Sequence, residues 1–118
     1  MPANRRRRQA LPLQTPLAHK EKIMFTVAVV LEIDPKDTAA FEEGLMQHAA
    51  NSRGQEGCVT FSVARNHSQA GRYHIWEVYR DKDAFQAHVD ADFMAWWREV
   101  SAPMLTAREI ATADLMTA

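Results

Sequence analysis

Apolar and polar residues alternate through Phe25-Thr26-Val27-Ala28-Val29-Val30-Leu31-Glu32-Ile33, with Phe25, Val27, Val29, Leu31 and Ile33 on one parity. A period of two over β-branched residues predicts a strand from Ile23 to Ile33 with that parity in the core. Asp34-Pro35 then supplies a helix start, and Phe41, Leu45, His48, Ala49 and Ser52 recur at helical spacing up to the breaker Gly54. Gly57 precedes a second strand, Cys58 to Asn66, in which Val59, Phe61 and Val63 alternate with Thr60, Ser62 and Ala64. The turn composition of Asn66 to Gly71 joins it in a hairpin to a third strand, Arg72 to Tyr79. A second helix begins after Asp81 and carries Ala84, Phe85 and His88. A further helical stretch shows Phe93, Trp96, Trp97 and Val100 before Pro103, and a last strand runs from about Leu105 to Leu115. The order β-α-β-β-α-β predicts an α+β fold of the ferredoxin-like, split βαβ kind: one antiparallel sheet with its helices on one face.

Such a sheet leaves its second face open. The alternate parity, with Ile75 or Trp76, Val78 and several alanines, is not a solvated set, and a folded unit beginning at Ile23 is small for a self-sufficient core. Face-to-face homodimerisation, as in a dimeric α/β-barrel, is therefore expected.

Charge separates the chain into two parts. Residues 1–22 hold six Lys/Arg against one Glu, a balance of +5, whereas residues 23–118 hold eight Lys/Arg against fourteen Asp/Glu, a balance of −6. The first part has Pro2, Pro12 and Pro16 and no apolar period, so it is expected to be a flexible basic extension on an acidic domain of residues 23–118, whose folded unit starts near Met24. Its run Arg5 to Arg8 reads as solvated rather than as a nucleic-acid or membrane anchor. Leu11, Leu13 and Leu17 are split by prolines and polar residues, which argues against a secretion signal, and no run approaches the length of a membrane span. Cys58 stands alone, so a reducing, cytoplasmic setting is expected. His19, His48, His67, His74 and His88 show no metal-ligand spacing, and the four glycines form no phosphate-cradling loop. Neither a metal nor a nucleotide or flavin cofactor is expected.

Several motifs occur in an order that carries a resemblance. Glu56-Gly57-Cys58-Val59-Thr60-Phe61, Gly71 to Asp81 with Tyr73, Glu77 and Tyr79, Ala84-Phe85-Gln86-Ala87-His88 and the closing Met104-Leu105 resemble the antibiotic biosynthesis monooxygenase (ABM) family over roughly residues 23–115. The resemblance implies a cofactor-independent monooxygenase acting with molecular oxygen on a small aromatic or quinol-type molecule. Cofactor-free oxygenation needs a phenolic substrate made anionic, a dry aromatic pocket, a base and donors for the developing oxyanion. It places His88 as base or proton relay, Glu77 as its orienting partner or the holder of a substrate hydroxyl, and Tyr79 as oxyanion donor. Phe61, Tyr73, His74, Trp76, Phe93 and Trp97 are the candidate substrate-binding walls. The residues alone leave open that Glu77 simply pairs with Arg65 or Arg72.

The departures from the pattern are specific. Many quinol-oxidising and autoinducer-processing relatives carry a second histidine five residues after the first, where this chain has Phe93. The haem-degrading branch ligates iron through a histidine on the late helix and uses an asparagine on the first strand, where this chain has Trp96-Trp97-Arg98 and Thr26-Val27-Ala28. Haem is thereby disfavoured. Two further readings remain: a non-catalytic dimeric module for an aromatic metabolite, and a processing enzyme or isomerase like the autoinducer-2 branch. The third strand also superficially resembles that of an RNA recognition motif, but Glu77 interrupts the stacking positions and the acidic domain repels phosphate.

Overall fold

The computed structural model describes residues 23–117. The basic extension of residues 1–22 lies outside them. The elements are β1 (Phe25–Ile33), α1 (Thr38–Arg53), β2 (Cys58–Arg65), β3 (Arg72–Tyr79), α2 (Lys82–Val89), α3 (Asp92–Ser101) and β4 (Leu105–Asp114). The strands form one antiparallel sheet in the order β2-β3-β1-β4, which is the ferredoxin-like α+β arrangement that the alternation predicts.

Register decides what each strand buries. Val27 pairs with Glu77, Val29 with Ile75 and Leu31 with Tyr73, and all six are buried. Paired residues share a sheet face, and this face packs with Phe41, Leu45 and Ala49 of α1 and Trp97 of α3 into one core. The opposite face exposes Ala28, Ser62, His74 and Trp76. Every residue of β4 from Thr106 to Asp114 is exposed, so this edge strand has little cover on either side.

Two expectations shift locally. Asp34 accepts from Lys36 N at 3.0 Å and caps a 3-10 turn, Pro35–Asp37, so α1 itself starts at Thr38. Its inner stripe of Phe41, Leu45, His48, Ala49 and Ser52 is buried as its spacing predicts. Val59 does not join Phe61 in the core. Cys58 pairs with Tyr79 but Thr60 pairs with Val78, so Val59 is the extra residue of a β-bulge and sits 53% exposed.

Two glycines set the frame of the site. Gly71 closes the β2–β3 hairpin at φ 79°, where a Cβ would meet Ile33 O at 2.5 Å. Gly57 lets the start of β2 meet α2, because a Cβ there would lie 2.4 Å from Ala84 Cβ. That approach holds α2 over the end of β3.

Candidate functional site

A carboxyl on the core parity of β3 is the anomaly from which the site is built. Val27 and Phe61 flank Glu77 in register on the two neighbouring strands, and apolar alternation on both sides forces it inward to 5% exposure. Neither expected arginine reaches it, because Arg65 pairs with Glu42 at 2.7 Å and Arg72 pairs with Glu32. Tyr79, two residues on and fully buried, donates its hydroxyl to Glu77 Oε1 at 2.5 Å. Burial pushes the Glu77 carboxyl up to about 7, against the lowering effect of that hydrogen bond. The Tyr79 phenol is itself driven upward by burial and by the neighbouring carboxylate, so it stays a donor.

His88 comes from α2, whose N-terminus is fixed by Asp81 accepting from Ala84 N at 2.8 Å. Its Nδ1 lies 2.8 Å from Gln55 Oε1 and its Nε2 3.9 Å from Glu77 Oε1. Burial, and secondarily the charge of Arg98, lower His88 to about 4, so the imidazole is neutral at ordinary pH. With Gln55 accepting, Nδ1 carries the hydrogen and the bare Nε2 faces Glu77.

A second buried histidine completes the group. His48 of α1 stacks on Trp97 with ring centroids 4.9 Å apart and planes 8° from parallel, and it lies 5.8 Å from the His88 ring. Phe61 meets it edge-on at 5.4 Å and Phe93 stands 5.7 Å away. Burial, and then His88, lower it to about 3. Its Nδ1 is buried without a hydrogen-bond partner. Such an orphan typically costs about 1–3 kcal/mol, so the fold keeps it at the expense of stability.

Beside these groups lies a cavity of about 280 Å³ between the sheet and α3. Val29, Ile75, Met94 and Trp97 are among its apolar walls, Glu77 and His48 are its inner polar groups, and Arg98 and Arg108 also line it. His88 does not line the cavity and sits behind Glu77.

Of the residues expected from the sequence, Glu77, Tyr79, His88, Phe61, Phe93 and Trp97 converge on this cluster. Tyr73 does not: its ring packs against Phe41, tilted by 41° with centroids 5.0 Å apart, and it donates to Glu42 Oε2 at 2.7 Å, well along the strand from Glu77. His74 and Trp76 do not either, because the register of β3 turns their parity to the open face, where His74 Nε2 meets Asn66 Nδ2 at 3.0 Å. His48 and Gln55 are additions, and among the described residues no three His, Cys, Asp or Glu side chains group as a metal site.

The sequence profile described as antibiotic biosynthesis monooxygenase matches residues 24–100, well over half of the chain. The chain belongs to the antibiotic biosynthesis monooxygenase family. The match runs from β1 through α3 and contains Glu77, Tyr79, His88 and His48, while β4 with Arg108 follows it. Solved structures agree on the fold. A candidate antibiotic biosynthesis monooxygenase from Caulobacter crescentus superposes with a TM-score of 0.78 at 24% identity, over 85% of this chain and 96% of its own. One from Nitrosomonas europaea gives 0.76 at 19% identity over 79% and 90%, and a protein from Pseudomonas aeruginosa gives 0.75 at 18% over 80% and 96%. No curated protein matches the chain.

Proposed function

We propose that this member of the ABM family is a monooxygenase that oxidises a small hydroxylated, quinol-type aromatic with molecular oxygen and without a resident cofactor. The observation that carries the reading is Glu77: a carboxyl buried in an aromatic setting, pushed up to about 7, and lining a cavity of small-molecule size. A general base works best when its pKa lies near the operating pH. Glu77 takes the substrate's phenolic proton, and the electron-rich anion transfers an electron to oxygen. Recombination forms a carbon–oxygen bond, and the resulting hydroperoxide loses water to leave a new carbonyl. One oxygen atom ends in the product and the other in water.

The roles differ from those the resemblance implies. Glu77 rather than His88 reaches the cavity, so Glu77 is the base and His88 is a positioning residue behind it. A neutral His88 matters because a cation 3.9 Å away would pull the Glu77 carboxyl down and weaken it as a base. Tyr79 is committed to Glu77 Oε1, which leaves His48, whose side chain also lines the cavity, as the group to meet a substrate oxygen. Phe93, which in sequence takes the position of the second histidine of other family members, lies 5.7 Å from His48.

The proposed monooxygenase works as a cytoplasmic homodimer. Exposed β4 and the open sheet face, with Trp76 44% exposed, support the dimer, and light scattering on the wild type and on Trp76→Glu tests it. No helix of the described residues is long and apolar enough to cross a membrane.

Oxygen uptake by chelator-treated protein against a panel of hydroquinones tests the activity. Uptake that Glu77→Gln abolishes supports it. Aromatic ligands that raise the Tm without any uptake would instead make the chain a binding module.

A further inference from the structure

We infer that the cavity selects a hydroxylated aromatic of one or two rings bearing an acidic group, its hydroxyl at His48 and Glu77 and its anion at Arg98 and Arg108. The inference rests on the oxygenase reading of the same cavity and adds the size and charge of the substrate.

Size follows from volume. A cavity of about 280 Å³ is nearly twice the roughly 150 Å³ void that takes up benzene in an engineered core. A substituted two-ring aromatic therefore has room beside Val29, Ile75 and Trp97.

Charge follows from what surrounds the two arginines. The domain is acidic, with fourteen Asp/Glu against eight Lys/Arg in residues 23–118, yet Glu77 is the one carboxyl among the described residues lining this cavity. Arg98 projects from α3 and Arg108 from β4, so the helix wall and the sheet wall each supply a guanidinium. Arg108 pairs in register with the buried Leu31, which puts it on the helix-covered face, whereas its neighbour Glu109 pairs with Val30 on the other parity. Arg98 Nη2 donates to Val89 O at 2.9 Å, a single bond that leaves its remaining N–H groups available. Among the described residues neither arginine has a carboxylate within ion-pair distance. Two guanidiniums without a protein anion suit a carboxylate, which they engage through paired N–H donors.

The opposite end of the ligand is set by His48 and Glu77. His48 is 3% exposed and lines the cavity, so a ligand hydroxyl there meets the accessible edge of its ring. An aromatic ring between the two ends faces the apolar walls.

The test is anaerobic calorimetric titration of the full chain at neutral pH with a dihydroxynaphthoate and with its methyl ester, which differ only in charge at one end. The acid should bind on the order of five- to tenfold more tightly at low salt, the scale of two partly exposed ion pairs. That preference should shrink in about 0.5 M KCl and in Arg108→Gln, with the ester unaffected. His48→Phe should weaken acid and ester alike. Equal binding of the two compounds, binding of neither, or an undiminished preference in both Arg108→Gln and Arg98→Gln overturns the inference. Oxygen uptake on the ester without preference for the acid leaves the oxygenase reading standing. Selective binding of the acid with no oxygen consumed does the reverse.

Discussion

Replacing Glu77 by Gln should make the protein more stable at alkaline pH while abolishing its activity. The carboxyl is 5% exposed and burial raises it from an ordinary value of 4.5 to about 7. At about 1.4 kcal/mol per pH unit between those values, keeping Glu77 ionised in the fold costs about 3 kcal/mol. The folded state binds this proton more tightly than the unfolded chain, so stability from Glu77 is greatest below pH 4.5 and falls as pH rises. The loss is complete above pH 7. Gln is nearly isosteric, cannot ionise, and keeps an oxygen to accept from Tyr79. Urea denaturation should show Glu77→Gln more stable than wild type by about 3 kcal/mol at pH 8, shrinking to about 1 kcal/mol or less at pH 5. In thermal scans at pH 8 the gain corresponds to roughly 10 °C or more for a domain of this size. A difference that does not change with pH, or a destabilised Glu77→Gln at pH 8, would refute a raised Glu77 carboxyl.

The histidines reverse that sign. His48 is lowered from 6.5 to about 3, so its contribution is present above pH 6.5 and is lost as pH falls; His48→Phe should remove about 2 kcal/mol of the stability lost between pH 7 and pH 5, read by urea titration. Tyr79→Phe deletes the donor that holds Glu77 down, and it should move the ascending limb of the kcat/KM pH profile to higher pH, whereas an unmoved limb would detach Tyr79 from the base. Gly57→Ala drives a Cβ to 2.4 Å from Ala84 Cβ, and it should lower stability by about 1–3 kcal/mol and reduce kcat by shifting α2, and with it His88, away from Gln55 and Glu77; wild-type stability would show that β2 and α2 separate freely.

The fold was legible because its elements carry strong periods. The alternation of β1, the inner stripe of α1 and the turn composition before Gly71 are local signals, and each survives in the structure. Val59 escaped because a bulge is a property of the pairing with β3, and nothing in Cys58-Val59-Thr60 announces the extra residue. The site was half legible. Alternation ties Glu77 to Tyr79 and Ile75, but only register with β1 says that this parity is covered while that of His74 and Trp76 is open. Tyr73 shares the covered parity, yet it lies four positions before Glu77, about 13 Å along the strand, a distance that parity does not report. His48 was hidden by its company: on an apolar stripe it reads as one more core residue, and only its unpartnered Nδ1 and the cavity beside it mark it out. Gln55 lies in the loop after α1, where no period exists to flag it.

Oxygen insertion by this chain, with Glu77 as base, can be followed atom by atom. Chelator-treated protein incubated with a naphthohydroquinone under isotopically labelled oxygen, followed by mass spectrometry of the product, measures it most directly. One labelled oxygen atom should end in the product and the other in water, with incorporation lost in Glu77→Gln. Product without label, or labelling that Glu77→Gln leaves intact, would contradict it.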